Sequence, residues 1–361
     1  MLTQRALPVR PDRTNSLLAL YHDGLARHWP ASRRLAGHAL WAAGRGGWSP
    51  AEQLYLGEQV RAHGLSMRDR KGLHRLLNPG AFPFLLNPLK NKQLFADEAD
   101  GLPLPGAWDG RTDLRHWLDG QQDIIAKPSF RSKGQGVERF TREGALWRSG
   151  EKRQTTVPLA VRLSALARRG GVIQTRLPTH DALADLSPGA LPTLRVVTCL
   201  DGAGVARIGA TALRLSAGGP RPVDNFNAGN LVLAVDASGR CGPAWQSGGG
   251  GAPPSRHSRH PLTGAAIEGA TLPDHDAALA LAVAAHDRFR DGFTVIGWDI
   301  GITAAGPVLI EGNWNPGTDI VQLLEGRGLS QSPLGALYRD ALARLSPDVW
   351  RSARALEREP R

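Results

Sequence analysis

Residues 297–317 read Gly-Trp-Asp-Ile-Gly-Ile-Thr-Ala-Ala-Gly-Pro-Val-Leu-Ile-Glu-Gly-Asn-Trp-Asn-Pro-Gly, and this stretch decides the fold. Two runs rich in β-branched residues, 295–303 and 308–313, flank a short linker at 304–307. Such runs on either side of a glycine-containing linker are typical of a β-hairpin. Large apolar side chains in both runs indicate that the hairpin is half buried. The stretch therefore predicts two antiparallel strands inside a larger sheet.

Three side chains with oxygen ligands interrupt these otherwise apolar strands: Asp299, Glu311 and Asn313. Glu311 and Asn313 lie two residues apart, so a strand directs both to the same face. A solvated hairpin face is the simplest alternative interpretation. It is weakened because clustered oxygens without a basic partner are unfavourable in a half-buried hairpin unless a cation neutralises them. The set suits Mg²⁺, with Mn²⁺ as an alternative.

The length of the hairpin loop decides whether Asp299 shares that face. A four-residue loop, 304–307, would place Asp299 opposite Gly312. A three-residue loop, 304–306, places it opposite Glu311. Gly306 then stands where the common three-residue loop needs a left-handed residue, which favours the second register.

Composition limits the class of protein. The 361 residues are enough for two or three domains, and the formal net charge is +11. Arginines are scattered along the chain without a nucleic-acid-binding motif, so we expect no nucleic-acid partner. A basic surface also suits anionic small substrates or peripheral contact with an anionic membrane. Without a long apolar run or an apolar N-terminal segment, and with only Cys199 and Cys241 as thiols, the sequence predicts a cytoplasmic protein.

Lysines are rare, because they make up only six of the 44 basic residues. Four of them lie between residues 90 and 133, where we expect compact ammonium groups to be needed. One is Lys92, at the start of a predicted helix. Another is Lys127, which ends the apolar strand 123–127 and precedes the glycine- and serine-rich loop 129–136. This arrangement can hold phosphate, although a plain hairpin turn explains the loop equally well.

The rest of the chain predicts a helical region followed by alternating strands and loops. The region before residue 88 contains two helix starts, at Ser49 and Ser66, and is interpreted as a scaffold or cap; docking of a partner or of lipid headgroups is the alternative. Strands are predicted at 171–177, 193–200, 206–214 and 231–235. A glycine-rich segment follows at 247–258, then a helix capped by Asp274 and a helical tail from Ser332.

The order of these features resembles the ATP-grasp superfamily, specifically the sugar-transfer-associated ATP-grasp family, which is related to α-L-glutamate ligase-like proteins. The stretches that carry the resemblance span roughly residues 90 to 320, and the most specific is 297–317. The others are Lys92 with Gly101-Leu102-Pro103, Lys127-Pro128, the strand around Arg195, Asp224-Asn225-Phe226, and His260-Pro261 with Thr263-Gly264.

The resemblance implies an α+β, ATP-grasp fold in which two α+β subdomains hold ATP between them. The expected divisions are a helical N-terminal region at 1–88, a first subdomain at 89–176, a second subdomain at 177–330 and a helical tail at 331–361. The N-terminal region does not read as the βαβ domain usual before this fold. Substrates of characterised ligases therefore do not transfer safely to this chain.

The resemblance also implies roles for individual residues. ATP would be bound by the first subdomain and by the adenine-binding segment after it: Lys92, Lys127, Ser129, Ser132, Lys133, Gly134, Gly136, Gln174, Thr175, Arg176 and Leu177. Asp299, Glu311 and Asn313 would hold the metal ion. Arg195 and Arg214 would act at the reacting acyl group. The candidate substrate contacts are Asn225, His260, Trp314 and Asn315, and Trp314 stands where better-known ligases carry a small residue.

The activity implied is an ATP- and Mg²⁺-dependent carboxylate–amine ligase that works through an acyl-phosphate. The family name associates it with a cell-surface polysaccharide or its precursor, so both substrates are expected to be small molecules, one of them saccharide-linked. Two alternatives stay open at this point. One is an ATP-grasp kinase that phosphorylates a hydroxyl group. The other is a nucleotide-binding accessory protein of a glycosyltransferase system.

Overall fold

The computed structural model describes residues 16–28, 48–129, 136–219, 226–248 and 252–352. Within these ranges the chain is α+β, with two antiparallel sheets and helices packed around them. Ser132, Lys133, Gly134 and Asn225, which the sequence places at the site, lie outside the described residues.

The N-terminal region is helical, as predicted. Its helices are α1 (Ser16–His28), α2 (Pro50–Tyr55), α3 (Glu58–Ala62) and α4 (Met67–Leu77). Ser49 and Glu52 form the predicted capping box of α2, and the Ser66 hydroxyl accepts the Asp69 amide at the start of α4. These bonds satisfy amide groups that a helix start leaves unpaired. The helix starts predicted at Ser49 and Ser66 are confirmed.

A five-stranded sheet follows, in the spatial order β4-β3-β2-β1-β5. Its strands are β1 (Asp123–Lys127), β2 (Glu138–Glu143), β3 (Leu146–Ser149), β4 (Lys152–Thr155) and β5 (Val172–Thr175). Helix α5 (Lys92–Glu98) precedes this sheet in the chain, and its Phe95 packs in a different cluster, against Phe289. Two helices pack on the sheet itself: α6 (Leu114–Asp119) and α7 (Thr156–Ala167). Ile124, Phe140, Trp147 and Leu163 are buried between the sheet and α6 and α7.

A seven-stranded antiparallel sheet forms the larger body, in the order β10-β9-β8-β7-β6-β11-β12. Its strands are β6 (Thr193–Leu200), β7 (Ala206–Leu215), β8 (Leu231–Leu233), β9 (Ala244–Gln246), β10 (Ser255–His257), β11 (Val295–Thr303) and β12 (Gly306–Asn313). The helices are α8 (His275–Arg288), α9 (Asp319–Glu325), α10 (Pro333–Arg344) and α11 (Pro347–Ser352). No helix in the described ranges has the length and apolarity needed to cross a membrane.

The side chains of strand β11 point alternately to its two faces, and each face packs in a different buried cluster. Ile296, Trp298 and Ile300 pack in the cluster that contains residues of α8. Val295 packs on the opposite face, in a cluster that contains residues of α1, α4 and α10. Gly297 lies on that second face, where an added Cβ would come within 2.6 Å of Pro316 Cβ. The glycine thus permits close approach of the segment that follows β12.

The predicted hairpin register is confirmed, but the chain reaches it differently. Asp299 pairs with Glu311, as the three-residue loop predicted. However, Thr303 pairs with Gly306, so only two residues lie between the paired ends. A β-bulge restores the predicted pairing. Ile300 pairs with Leu309, and Ile310 is the extra residue on β12 before Glu311, which pairs with Asp299.

Three other features differ from expectation. Asp274 occupies the N-cap of α8 but makes no side-chain capping hydrogen bond, and its φ is 52°. Residues Ser255–His257, inside the glycine-rich segment, form an edge strand paired with β9. Strands β2, β3 and β4 were not predicted.

Candidate active site

A cleft of about 440 Å³ lies between the two sheets. Its walls come from β1 and β5 of the smaller sheet, from β6, β7, β8, β11 and β12 of the larger sheet, and from α4, α5 and α9. Among the described residues that line it, seven side chains are basic: Arg70, Lys90, Lys92, Lys127, Arg176, Arg195 and Arg214. Three are acidic: Asp299, Glu311 and Asp319. The excess of positive charge suits a strongly anionic ligand.

Asp299 is the buried centre of the larger sheet's wall, with 3% of its surface exposed. Arg195 lies directly across the β6–β11 ladder from it. Arg195 donates Nε to Oδ1 and Nη2 to Oδ2, the latter at 3.0 Å, and Arg214 Nη1 donates to Oδ2 at 3.2 Å. Burial alone would raise the pKa of Asp299, but the charges and hydrogen bonds of the two arginines, with a contribution from Glu311, lower it to about 2.

This pairing corrects one premise of the sequence argument. The oxygen cluster was expected to lack a basic partner, yet Arg195 and Arg214 both bind Asp299. Both arginines line the cleft, so the two residues proposed for acyl chemistry and the proposed metal ligand form one group. Arg195 and Arg214 therefore contribute to neutralising the charge of Asp299.

Glu311 and Asn313 form the more open part of the cluster. Glu311 is exposed, and Asn313 Nδ2 donates to Glu311 Oε1 at 3.5 Å. Lys92 lies close enough that the Glu311 charge counteracts the burial that lowers the Lys92 pKa. Asp299, Glu311 and Asn313 offer two carboxylates and an amide oxygen on one face. Among the described residues, no arginine pairs with Glu311. This set fits a divalent cation that prefers hard oxygen ligands.

Lys127 reaches the cleft from the end of β1, the strand between β2 and β5. The loop after it is described only at its ends. Ser129 Oγ is buried and has no hydrogen-bond partner among the described residues. Gly136 has a φ of 72°, and a Cβ there would come within 3.0 Å of Pro128 Cγ. Gly136, at the far end of the loop, therefore lies close to Pro128.

The segment from Gln174 to Leu177 lines the cleft along all four residues. The Thr175 amide donates to the Gly106 carbonyl at 2.7 Å, and the Arg176 amide donates to the Asp123 carbonyl at 2.9 Å. These two amides are already bonded within the protein, so any contact with a base must use the other backbone groups of the segment.

The loop after β12 connects the cluster to the N-terminal helices. Trp314 borders the cleft but is 1% exposed, and its ring packs edge-on against Phe82 at 5.5 Å between centroids. Asn315 also lines the cleft, and its Oδ1 is 2.9 Å from His74 Nδ1. Trp314 is thus a wall of the cleft, and Asn315 is a polar group fixed by α4.

His260 lies outside this cleft. It is buried, its Nε2 is 2.8 Å from the Ser216 carbonyl oxygen, and its Nδ1 accepts the Leu262 and Thr263 amides. The ring therefore fixes a turn, and we leave it out of the proposed substrate contacts. Asn225 precedes Phe226 and Asn227, which do line the cleft.

No role at the site was predicted from the sequence for the cleft residues Arg70, Lys90 and Asp319, although Lys90 is one of the four lysines between residues 90 and 133. Arg70 stands four positions before His74 on α4, so both lie on one helix face. Two polar residues at that spacing in a helix that also carries Leu73, Leu76 and Leu77 are a usable signal for a buried polar face.

Residues 74–335 match the sequence model of a family described as sugar-transfer associated ATP-grasp. No curated relative matches the sequence. Many solved structures are similar at low identity, and three of them illustrate this. The ADP complex of PurK, N5-carboxyaminoimidazole ribonucleotide synthetase, has 13% identity and a TM-score of 0.41 over 72% of this chain and 53% of that one.

The other two structures are of ligases. The ATP-grasp ligase PsnB, complexed with a minimal precursor, has 14% identity and a TM-score of 0.34 over 78% of this chain and 65% of that one. D-Alanine-D-alanine ligase from Helicobacter pylori has 12% identity and a TM-score of 0.39 over 72% of this chain and 59% of that one. The chain spans between about half and two thirds of each of these structures.

Proposed function

The chain belongs to the sugar-transfer associated ATP-grasp family, and from that premise we propose that it is an ATP- and Mg²⁺-dependent carboxylate–amine ligase. One observation carries the proposal. The same cleft is lined by Lys127 from the smaller sheet and by Asp299, with its two arginines, from the larger sheet. This arrangement supports a proposal in which Lys127 binds phosphate and the wall around Asp299 binds a metal ion and the reacting carboxylate.

The nucleotide is proposed to lie between the sheets. Lys92 and Lys127 bind phosphate oxygens through their ammonium groups, and the loop 129–136 covers the phosphates. Residues 174–177 contact the adenine. Mg²⁺ held by Asp299, Glu311 and Asn313, with Mn²⁺ as an alternative, would neutralise charge on the β- and γ-phosphates.

The proposed reaction has two steps. A substrate carboxylate oxygen attacks the γ-phosphorus, the bond to the bridging oxygen breaks, and ADP leaves. An amine nitrogen then attacks the carbonyl carbon of the acyl-phosphate, the carbon–oxygen bond to phosphate breaks, and the nitrogen releases a proton. Arg195 and Arg214, oriented by Asp299, donate N–H groups to the oxyanion that develops at that carbon.

The substrates are proposed by class only. The family description supports a small saccharide-linked substrate in polysaccharide or precursor modification. The requirement for ATP favours a cytoplasmic location. Trp314 and Asn315, at the border of the cleft, are the proposed substrate contacts.

Trapping with hydroxylamine tests the chemistry. The full chain is incubated with ATP, Mg²⁺, hydroxylamine and a panel of carboxylates, and hydroxamate and ADP are measured together. We expect equal amounts of both products with the correct carboxylate, and neither with Asp299→Asn. Lys152→Met, an exposed change in β4, serves as the matched control. Sugars and hydroxy acids are added to the panel as hydroxyl acceptors. A phosphate ester would then identify a kinase instead, and absence of ADP with every member would favour an accessory protein.

A further inference from the structure

Helix α4 carries a buried cation, Arg70, to the wall of the cleft. Arg70 is 9% exposed and lines the cleft beside Gly317 and Asp319. A Cβ added to Gly317 would lie 3.5 Å from Arg70 Nη1, so the guanidinium approaches the backbone of the loop after β12. The loop and α4 are also joined by the His74–Asn315 contact, which fixes where Arg70 lies.

The hydrogen-bonding capacity of Arg70 is only partly used. Its nearest carboxylate oxygen is Asp319 Oδ1, 3.7 Å from Nη1, which is longer than a hydrogen bond. Asp319 instead accepts the Tyr55 hydroxyl at 2.8 Å. Arg70 Nε is buried and has no hydrogen-bond partner within the described ranges. A buried donor without a partner is unfavourable. The guanidinium itself lines the cleft, where an acceptor brought by a ligand can meet its other N–H groups.

The surroundings of Arg70 place it on the larger sheet's side of the cleft. Tyr55 packs edge-on against Phe226, at 6.2 Å between ring centroids. Phe226 and Ala212 share one buried cluster, and Ala212 is two residues from Arg214 on the same face of β7. Arg70 is therefore connected to the arginine wall of the cleft. Lys127, in contrast, belongs to the opposite, smaller sheet.

We propose that Arg70 binds an oxyanion of the substrate that is separate from the reacting carboxylate. The identification of the ligand as substrate rests on the proposed ligase function. A guanidinium with unused donors recognises carboxylate or phosphate groups through paired hydrogen bonds, and Asp319 with Tyr55 limits its movement. The substrate class is thus a dicarboxylate or a phosphorylated sugar, and neutral analogues are expected to be poor ligands.

Direct binding of two simple probes tests this assignment. Inorganic phosphate and malonate are titrated by calorimetry into the full chain saturated with AMPPNP and Mg²⁺. Arg70→Met removes the guanidinium. Arg70→Lys keeps the charge but loses the paired N–H donors of the planar guanidinium. Lys71→Met removes a neighbouring charge on the same helix that does not line the cleft. We expect at least one probe to bind the unchanged chain and Lys71→Met equally.

Arg70→Met should weaken binding of that probe by about tenfold or more, because a charged hydrogen-bonding partner is lost. The affinity of Arg70→Lys should lie between those of the unchanged chain and Arg70→Met. Preference for phosphate or for malonate then identifies the oxyanion. Equal binding of the probe by Arg70→Met and the unchanged chain, or binding of neither probe, would overturn the assignment. Arg70→Lys keeps the charge beside Asp319, so it gives an answer if Arg70→Met does not fold.

Failure of the proposed function is recognised separately. AMPPNP affinity is measured first, and a chain that does not bind AMPPNP contradicts the ATP-dependent ligase. The probes are then titrated into the nucleotide-free chain, where the comparison of Arg70→Met with Lys71→Met still tests the oxyanion site.

Discussion

His74 Nδ1 lies 2.9 Å from Asn315 Oδ1, and this contact ties helix α4 to the loop after the β11–β12 hairpin. The other ring nitrogen, Nε2, is 2.7 Å from the Tyr338 hydroxyl. Since the Asn315 oxygen only accepts, Nδ1 carries the proton and Nε2 accepts from Tyr338. A neutral imidazole satisfies both contacts. Burial, followed by the charge of Arg70, lowers the pKa of His74 to about 3, against the opposing effect of Asn315.

The depressed pKa of His74 predicts a loss of stability in mild acid. Between its unfolded value of 6.5 and its folded value of about 3, the unfolded chain binds a proton at His74 and the folded chain does not. The free energy of unfolding should therefore fall as the pH falls, by up to about 1.4 kcal/mol per pH unit. Urea denaturation measured from pH 7 to pH 4 checks the slope.

His74→Gln separates this contribution from that of other buried groups. His286 also has a pKa lowered by burial, to about 4, and so adds to the slope in the same direction. Glutamine at position 74 does not titrate. The slope of the unfolding free energy against pH should therefore decrease by the contribution of about one proton. An unchanged slope would show that His74 is protonated in the folded chain.

Asp299 and Glu311 should respond differently to loss of charge. Asp299→Asn leaves Arg195 and Arg214, which are 19% and 17% exposed at their side chains, without their shared carboxylate. We expect the free energy of unfolding to fall by about 3 kcal/mol, as for a broken buried ion pair. Glu311→Gln is the matched change at an exposed position and should alter stability by less than about 0.5 kcal/mol.

Nucleotide binding completes this comparison. Both substitutions remove a proposed metal ligand, so both should weaken AMPPNP binding in the presence of Mg²⁺. Glu311→Gln should do so without loss of stability. If Glu311→Gln left Mg²⁺-dependent affinity unchanged, Glu311 would not be a metal ligand.

Lys127→Met should reduce nucleotide affinity without unfolding the smaller sheet. The side chain lines the cleft at the end of β1, and its charge is proposed to contact phosphate. Loss of one charged hydrogen bond predicts about a tenfold increase in the dissociation constant of AMPPNP. Lys152→Met changes an exposed lysine of the same sheet and should leave the constant unchanged. Equal affinities in the two variants would remove Lys127 from the proposed site.

The hairpin shows how far the sequence determined the site. Alternating apolar and polar residues and Gly306 were enough to predict that Asp299 faces Glu311. The bulge at Ile310 was not predictable, because a three-residue loop and a two-residue loop with a bulge give the same pairing near Asp299. The sequence pattern therefore predicted which face Asp299 and Glu311 share but not the path of the backbone between them.

The sequence did not predict which side chains on strands far apart in the chain form pairs. Arg195 meets Asp299 because β6 and β11 are neighbours in the sheet although about a hundred residues separate them. Strands β2 to β4 escaped prediction because they are short and rich in charged residues, as the exposed positions of Lys152 and Arg153 illustrate. Arg70 was missed because its burial depends on the loop packed against α4.

Gly306 gives a direct test of the turn. Its φ is 105°, a conformation that side chains with a Cβ rarely adopt, although no atom lies within 4 Å of an added Cβ. Gly306→Ala should therefore lower the free energy of unfolding by about 1 kcal/mol through backbone strain alone. Gly219→Ala is the control, because that glycine also has open space but no positive φ, and its effect should stay within a few tenths of a kcal/mol. Urea denaturation of both variants distinguishes strain from crowding, and equal stabilities would mean that the turn relaxes without the left-handed residue.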